Sequence, residues 1–276
     1  MRRVRALLRV STFVLVAAPA VGARGPRPTA ALAQSPRLVV LESFLKAGCL
    51  TCAMAAKSIE RLAADYQAAG SSVFFLEHDV DAPTGNRIDR WYDAEYGGNC
   101  AVPWVMVDSG RGASCGEVDY SSVYRQLVDA ALATPPEADL QATFRRVGDG
   151  VRVTVRLTNR SGRVLGNADL ASVSAMVFER TRVHHTSRFV RASGQADIVD
   201  DLADGQTAAF AIDVPAVPTD DWSRTDVVVL VDHQPDSRST RYAALQAAVA
   251  SPDGPPLDTA RLYMPGASRG RPWPSP

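Results

Sequence analysis

The chain has 276 residues, 46% of them hydrophobic and 22% charged, with 30 basic and 30 acidic side chains. That length allows two domains of ordinary size, and the charge balance suggests neither nucleic acid nor an anionic membrane as partner, since either would favour a clustered basic face. All four cysteines, Cys49, Cys52, Cys100 and Cys115, fall in the first half.

The N-terminal stretch MRRVRALLRVSTFVLVAAPAVGA sets Arg2, Arg3, Arg5 and Arg9 ahead of an apolar run over residues 10–21, the pattern of a secretory signal peptide. The run is shorter than the roughly 20 residues a membrane-spanning helix needs. A signal peptide within residues 1–33, cleaved after Ala23 or Ala33, and a mature chain without a membrane span are therefore expected. Residues 1–33 hold six arginines and no acid, so their removal leaves a mildly acidic protein. An extracytoplasmic location, periplasmic or secreted, permits disulfides, and an even cysteine count is then expected to be oxidised or redox-active.

Residues 37–44, RLVVLESF, read as a short buried strand. After the loop LKAG, apolar or small residues at Cys52, Ala55, Ile59, Leu62, Ala63 and Tyr66 recur at helical spacing, and Gly70 closes the pattern. SSVFFLEHDV is a second strand. RIDRWYDAEYG is a second helix, with Trp91, Tyr92 and Tyr96 as packing residues. VPWVMVDSGRGASCG reads as a strand, a turn at 109–112 and a returning strand at 113–115, and YSSVYRQLVDAALA as a third helix capped by Asp119. This order makes residues 37–134 a compact α/β unit whose first strands run parallel.

Beyond Pro135-Pro136 the pattern changes. VRVTVRLTN alternates with period two, and SVSAMVFERTRV, SRFVRAS, TAAFAIDV, DVVVLVDH and RYAALQAAVA follow, with turn signals about every 10 residues. These predict an all-β sandwich over 137–250, immunoglobulin-like in architecture but without an inter-sheet cysteine pair. Residues 251–276 carry seven of the 18 prolines and few aliphatic side chains, and are expected to be disordered.

The chemistry concentrates at Cys49-Leu50-Thr51-Cys52. Two cysteines two residues apart at a helix start put the first sulfur beside unpaired N–H groups and the positive end of the helix dipole, which stabilise a thiolate. The pair could exchange disulfides, form a static local bridge, or supply half of a metal site. The metal reading needs two further ligands, and Cys100 and Cys115 lack the spacing of a second CxxC, so no metal is assigned. Cys100 and Cys115 are themselves a candidate disulfide. A hairpin turning at 109–112 sets Cys115 opposite about Val105, and a bridge needs Cα atoms within about 7 Å, so the loop before Pro103 has to fold back. Asp79 and Asp81 read as turn acids, and His184, His185 and His233 as surface histidines. No nucleophile-elbow sequence supports a hydrolase.

The strand, then GCLTC, EHDVD, AEYGGNCAVPWVMVDSG and a CG before the third helix follow the order of the thioredoxin-like superfamily. The resemblance covers roughly residues 37–133, and LESFLKAGCLTCA is similar to a secreted bacterial branch in which a β-domain follows. It implies a fold of an α/β thioredoxin-like domain followed by an all-β sandwich. It also implies thiol–disulfide exchange on protein clients, with Cys49 as nucleophile and Cys52 as resolver, and no organic cofactor. Val102, Pro103 and Trp104 then stand at the substrate groove, with Val102-Pro103 as the family's cis-proline. Glu42 becomes a candidate proton acceptor for Cys52, and Cys100 and Cys115 lie at the groove's rim as a structural bridge or a relaying pair. The partners implied are protein thiols or disulfides and a redox partner protein. The sequence departs from the family pattern in having no tryptophan before Cys49, Ala53 in place of a frequent proline, and Trp104 in place of the usual threonine. The alternative is a non-catalytic binding or surface protein of the same fold whose disulfides are permanent.

Overall fold

The computed structural model describes residues 36–82, 85–96, 100–219, 221–236, 240–252 and 262–263. The expected signal peptide, residues 1–33, lies outside the described residues.

The first half opens with β1 (Val39–Leu45), α1 (Leu50–Ala68) and β2 (Val73–Asp79), with β2 parallel to β1. A short α2 (Arg87–Trp91) runs on into a π-helical turn, Tyr92–Tyr96. β3 (Trp104–Val107) lies antiparallel to β1, β4 (Gly112–Cys115) returns beside β3, and α3 (Tyr120–Leu132) follows, capped by Asp119, whose carboxylate accepts the Ser122 N–H at 3.2 Å. The helical repeat of Ala55, Ile59, Leu62 and Tyr66 meets Tyr124 and Val128 of α3 and the odd-numbered face of β1 and β3: Val39, Leu41, Val105 and Val107. Both helices thus cover one face of the strand order β2-β1-β3-β4.

The second half supplies β5 (Ala138–Val147), β6 (Gly150–Asn159), β7 (Ser172–Glu179), β8 (Phe189–Asp197), β9 (Thr207–Val214), β10 (Thr225–His233) and β11 (Ala243–Val249). With β12 (Ser251–Pro252) and β13 (Leu262–Tyr263), five of its strands form a sheet in the order β12-β5-β6-β9-β13. The other four, β11-β10-β7-β8, continue through β2 into the first half and complete an eight-stranded sheet. Its joint is narrow: a single register pair, Glu77 with Phe189, and the Glu77 N–H on the Arg188 carbonyl at 2.9 Å.

Side-chain alternation then fixes the layering. Val173, Ala175, Val177, Val227, Val229 and Val231 face the five-stranded sheet, where Val153, Val155, Phe210 and Ile212 meet them. Met176, Phe178, Val228 and Leu230 face the other way, onto Val40 and Leu76 of β1 and β2. The β-rich protein is therefore a stack of helices, four strands, four strands and five strands. β7 is buried throughout and β10 at every position but Asp226, which is why their central residues are apolar.

This architecture alters two expectations. Residues 37–134 and 137–250 share a sheet and a core, and the described residues belong to one compact unit. Pro135-Pro136 marks the change of strand pattern without separating the halves. The tail expected to be disordered contributes two short strands, because β5 and β9 offer unpaired edges that accept them. The rest of the tail lies outside the described residues.

Between the two four-stranded layers sits a buried ionic network. Glu42 of β1 receives Arg87 of α2 in a two-pronged bond, Nη2 to Oε1 at 2.5 Å and Nε to Oε2 at 2.9 Å. His78 of β2 lies 3.0 Å from the same Oε2 and stacks on Phe44. The remaining Arg87 nitrogen, Nη1, reaches Asp232 of β10 at 3.2 Å, while Nη2 also donates to Ser109 at 2.9 Å. Asp232 is held further by Ser172 of β7 at 2.7 Å and by Arg90 at 3.3 Å, whose guanidinium lies on the Tyr242 ring. Glu42, Arg87 and Asp232 are all inaccessible to solvent.

Burial alone pushes the Glu42 carboxyl up, but the Arg87 charge and hydrogen bonds, aided by His78, outweigh it and hold the pKa at about 2 instead of 4.5. Asp232 is lowered in the same way, burial being overcome by Arg90 and Arg87. A carboxylate whose folded pKa is depressed adds stability that is fully present above its unfolded pKa and is lost as pH falls through the folded one. Wild-type stability should therefore decline from about pH 4.5 towards pH 2, and Glu42→Gln should flatten that decline in urea titrations across the range. Arg87→Leu leaves buried Glu42 with His78 alone and takes one cation from Asp232, and should lower the unfolding free energy by about 3–5 kcal/mol.

Candidate functional site

β1 ends at Leu45, and residues 46–48 turn the chain into α1, with Gly48 at φ +71° and the Cys49 N–H bonded to the Lys46 carbonyl at 3.3 Å. Cys49 is the N-cap: its backbone is extended, and its sulfur accepts the Cys52 N–H at 3.1 Å. The Thr51 hydroxyl lies 3.2 Å from the same sulfur and 3.3 Å from the Val102 carbonyl. α1 runs for 19 residues with no acidic side chain in its first turn to oppose its dipole.

Cys49 and Cys52 form a disulfide. Cys49 is half-buried, whereas Cys52 is fully buried against Leu45 and Ala56. Leu50 and Met54 project beside the pair, 78% and 46% exposed. The site thus combines one partly buried cysteine, one enclosed cysteine and two exposed apolar side chains on the same stretch of helix.

Val102, Pro103 and Trp104 all come to this end of the sheet. The Val102–Pro103 bond is cis, Val102 packs in the cluster that holds both cysteines, and the Pro103 carbonyl accepts the Gly116 N–H at 3.0 Å. The Trp104 indole stacks on Trp91 with centroids 4.3 Å apart, and its N–H donates to the Cys100 carbonyl at 2.8 Å. That bond folds the loop before Pro103 back. Cys100 and Cys115 form a second disulfide with Cα atoms 6.0 Å apart, although Cys115 stands opposite Trp104 in the β-ladder. The hairpin expected to turn at 109–112 turns over Asp108–Gly110 instead, one residue earlier.

Glu42 does not join the cysteines. It lies three residues from Leu45 along β1, so the two point to opposite faces, and Cys52 packs on Leu45. The Glu42 carboxylate serves Arg87 and His78, and with a pKa of about 2 it takes up no proton near neutral pH. Its place in the buried network corrects the expected role as proton acceptor. His233, read as a surface residue, is buried and lies 3.3 Å from Asp169, its pKa lowered by burial against that carboxylate's pull.

Sequence reasoning missed the contribution of the second half. The loop between β7 and β8 crosses to the cysteine end, where His185 Nε2 donates to the Lys46 carbonyl at 2.8 Å, the Thr186 N–H reaches Glu77, and the Ser187 N–H reaches Glu60 of α1 at 2.8 Å. His184 pairs with Asp79 at 3.1 Å, and Lys46 with Asp81 at 3.0 Å, which accounts for the two turn acids. Between this loop and α1 lies a groove of about 300 Å³. No spacing rule exposes such a junction, because its two walls are about 130 residues apart in the chain. Among the described residues no three His, Cys, Asp or Glu side chains gather as metal ligands, and no helix is long and apolar enough to cross a membrane.

No protein-family model and no curated protein sequence matches this chain. Among solved structures, the sporulation control protein Spo0M from Bacillus subtilis is similar over 44% of this chain and 51% of its own, at 12% identity and a TM-score of 0.28. The β-glucosidase DesR from Streptomyces venezuelae is similar over 49% and 20%, at 16% identity and 0.25, and a β-glucosidase from Kluyveromyces marxianus over 48% and 17%, at 14% and 0.22. The matched part thus spans about half of Spo0M and a fifth or less of the glucosidases. Scores this low transfer neither fold nor function.

The Cys100–Cys115 bridge closes a loop of about 15 residues, worth about 3 kcal/mol in a chain-entropy account. Cys100→Ser/Cys115→Ser should lose about that much stability in urea while keeping the Cys49 alkylation rate of the reduced wild type. A slowed Cys49 would mark the second pair as part of the reactive site.

Proposed function

We propose that the protein is an extracytoplasmic thiol–disulfide oxidoreductase whose first half is thioredoxin-like, joined to an immunoglobulin-like β-sandwich. The observation that carries this reading is the position of Cys49 as the N-cap of a long helix, its sulfur on a backbone N–H at 3.1 Å and the residue only partly buried, with its partner enclosed. Such placement lowers a thiol pKa from about 8.5 into a range of roughly 3.5–7.5. The strand order β2-β1-β3-β4, the flanking helices and the cis Val102–Pro103 bond beside the pair support the thioredoxin-like reading. Two disulfides are compatible with an oxidising compartment.

In the oxidising direction, a client thiolate attacks the Cys49 sulfur, the Cys49–Cys52 bond breaks, and Cys52 leaves as a thiolate. The second client thiol then gives up its proton and attacks the client sulfur of the mixed disulfide, displacing Cys49. The client is oxidised to a disulfide and the protein reduced to a dithiol. In reverse, Cys49 opens a client disulfide and Cys52 resolves the mixed species. The Thr51 hydroxyl has one hydrogen for two acceptors, the Val102 carbonyl and the Cys49 sulfur. A thiolate is the stronger acceptor, so reduction turns that hydrogen to Cys49.

Wild type should reduce insulin or reactivate scrambled ribonuclease, and Cys49→Ser should abolish either activity. Inactivity of the wild type under both oxidising and reducing conditions would favour a binding protein with permanent disulfides. Thr51→Val removes a hydrogen bond to the ionised sulfur, and should raise the Cys49 pKa by about one unit, read from the pH profile of iodoacetamide alkylation.

A further inference from the structure

The groove between α1 and the β7–β8 loop is lined on the helix side by Ala53, Ala56, Lys57, Glu60 and Arg61, and on the loop side by Arg182, His184 and His185. Ala53 lies one helical turn beyond Cys49 on the same face of α1, so the groove begins one turn along the helix from Cys49. Its volume, about 300 Å³, sits at the small end of ligand pockets.

The charge within it is one-sided. Lys57 and Arg61 are exposed and belong to no ion pair among the described residues. Arg182 is 64% exposed and lies 3.8 Å from Glu60, and that single carboxylate already accepts the Ser187 N–H at 2.8 Å. Three permanent cations thus face one committed acid, over a floor of two alanines. The loop wall is fixed by the bonds of His185, Thr186 and Ser187 to the first half, so a ligand need not order it on binding.

We propose that this groove receives an acidic segment of the client chain, adjoining the cysteine that exchanges with Cys49. The inference rests on the exchange reading for its second part and supplies that reading with a substrate class. It also gives the second half a role, since Arg182, His184 and His185 form the wall that selects the client.

The test uses a labelled peptide with one cysteine followed by several glutamates, and its glutamine counterpart. Binding is measured by fluorescence anisotropy on the Cys49→Ser/Cys52→Ser protein, which cannot exchange. Mixed-disulfide formation is measured on the wild type. The glutamate peptide should bind about tenfold more tightly, with affinity falling as salt rises, and should react faster. Lys57→Gln/Arg61→Gln, at exposed positions outside the core, should remove most of that preference, as should Arg182→Gln. Equal binding of the two peptides, or a preference that survives both sets of variants, would overturn the proposal. Exchange at equal rates with both peptides overturns the groove while keeping the redox reading. Selective binding without exchange keeps the acidic-segment site and removes the redox reading.

Discussion

One guanidinium fixes the relation between the layers. Arg87 spans from Glu42 on β1 to Asp232 on β10, so the α/β half and the β half meet through a fully buried cation between two carboxylates. Well-packed apolar side chains could fill such a space at similar or better stability. What the charged trio adds is register, because one planar donor satisfies both acids only at one offset of the two strands. The apolar contacts of Val40, Leu76, Val228 and Leu230 beside it supply cohesion with little directional preference.

That fixed offset carries through to the cysteine end. With β2 and β8 joined at only one register pair, the β7–β8 loop is tied further to the first half by its N–H groups on Glu77 and Glu60 and by His185 on the carbonyl of Lys46, three residues before Cys49. Under the proposed exchange, a frame so held is the part that stays in place while one sulfur changes partners. The difference between the two cysteines follows from the same geometry: Cys49 caps the helix at the surface, and Cys52 turns inward onto Leu45 and Ala56.

Much of this was legible in the sequence. Helical spacing in α1, the Asp119 cap, and the alternation of β6 and β9 follow from local rules and from burial on one face. β5 escaped notice although Ala138, Leu140 and Ala142 alternate, because Phe144 to Val147 breaks the pattern where the strand reaches solvent. The Cys49 environment was readable, since an N-cap is a local structure. Arg87, Asp232 and the loop wall were not, because a buried charge reveals itself only through partners distant in the chain. Glu42 shows the same limit: its position suggested a proton acceptor, and only Arg87 and His78 decide that it stays ionised.

The central claim is that Cys49–Cys52 opens and closes within a structure that remains closed. Differential alkylation with mass spectrometry on the full chain, equilibrated across glutathione buffers, measures it directly. The account predicts a two-electron transition at Cys49 and Cys52 between about −120 and −270 mV, with Cys100–Cys115 still bridged and the protein folded. A Cys49–Cys52 bridge that stays closed until the protein unfolds would contradict it.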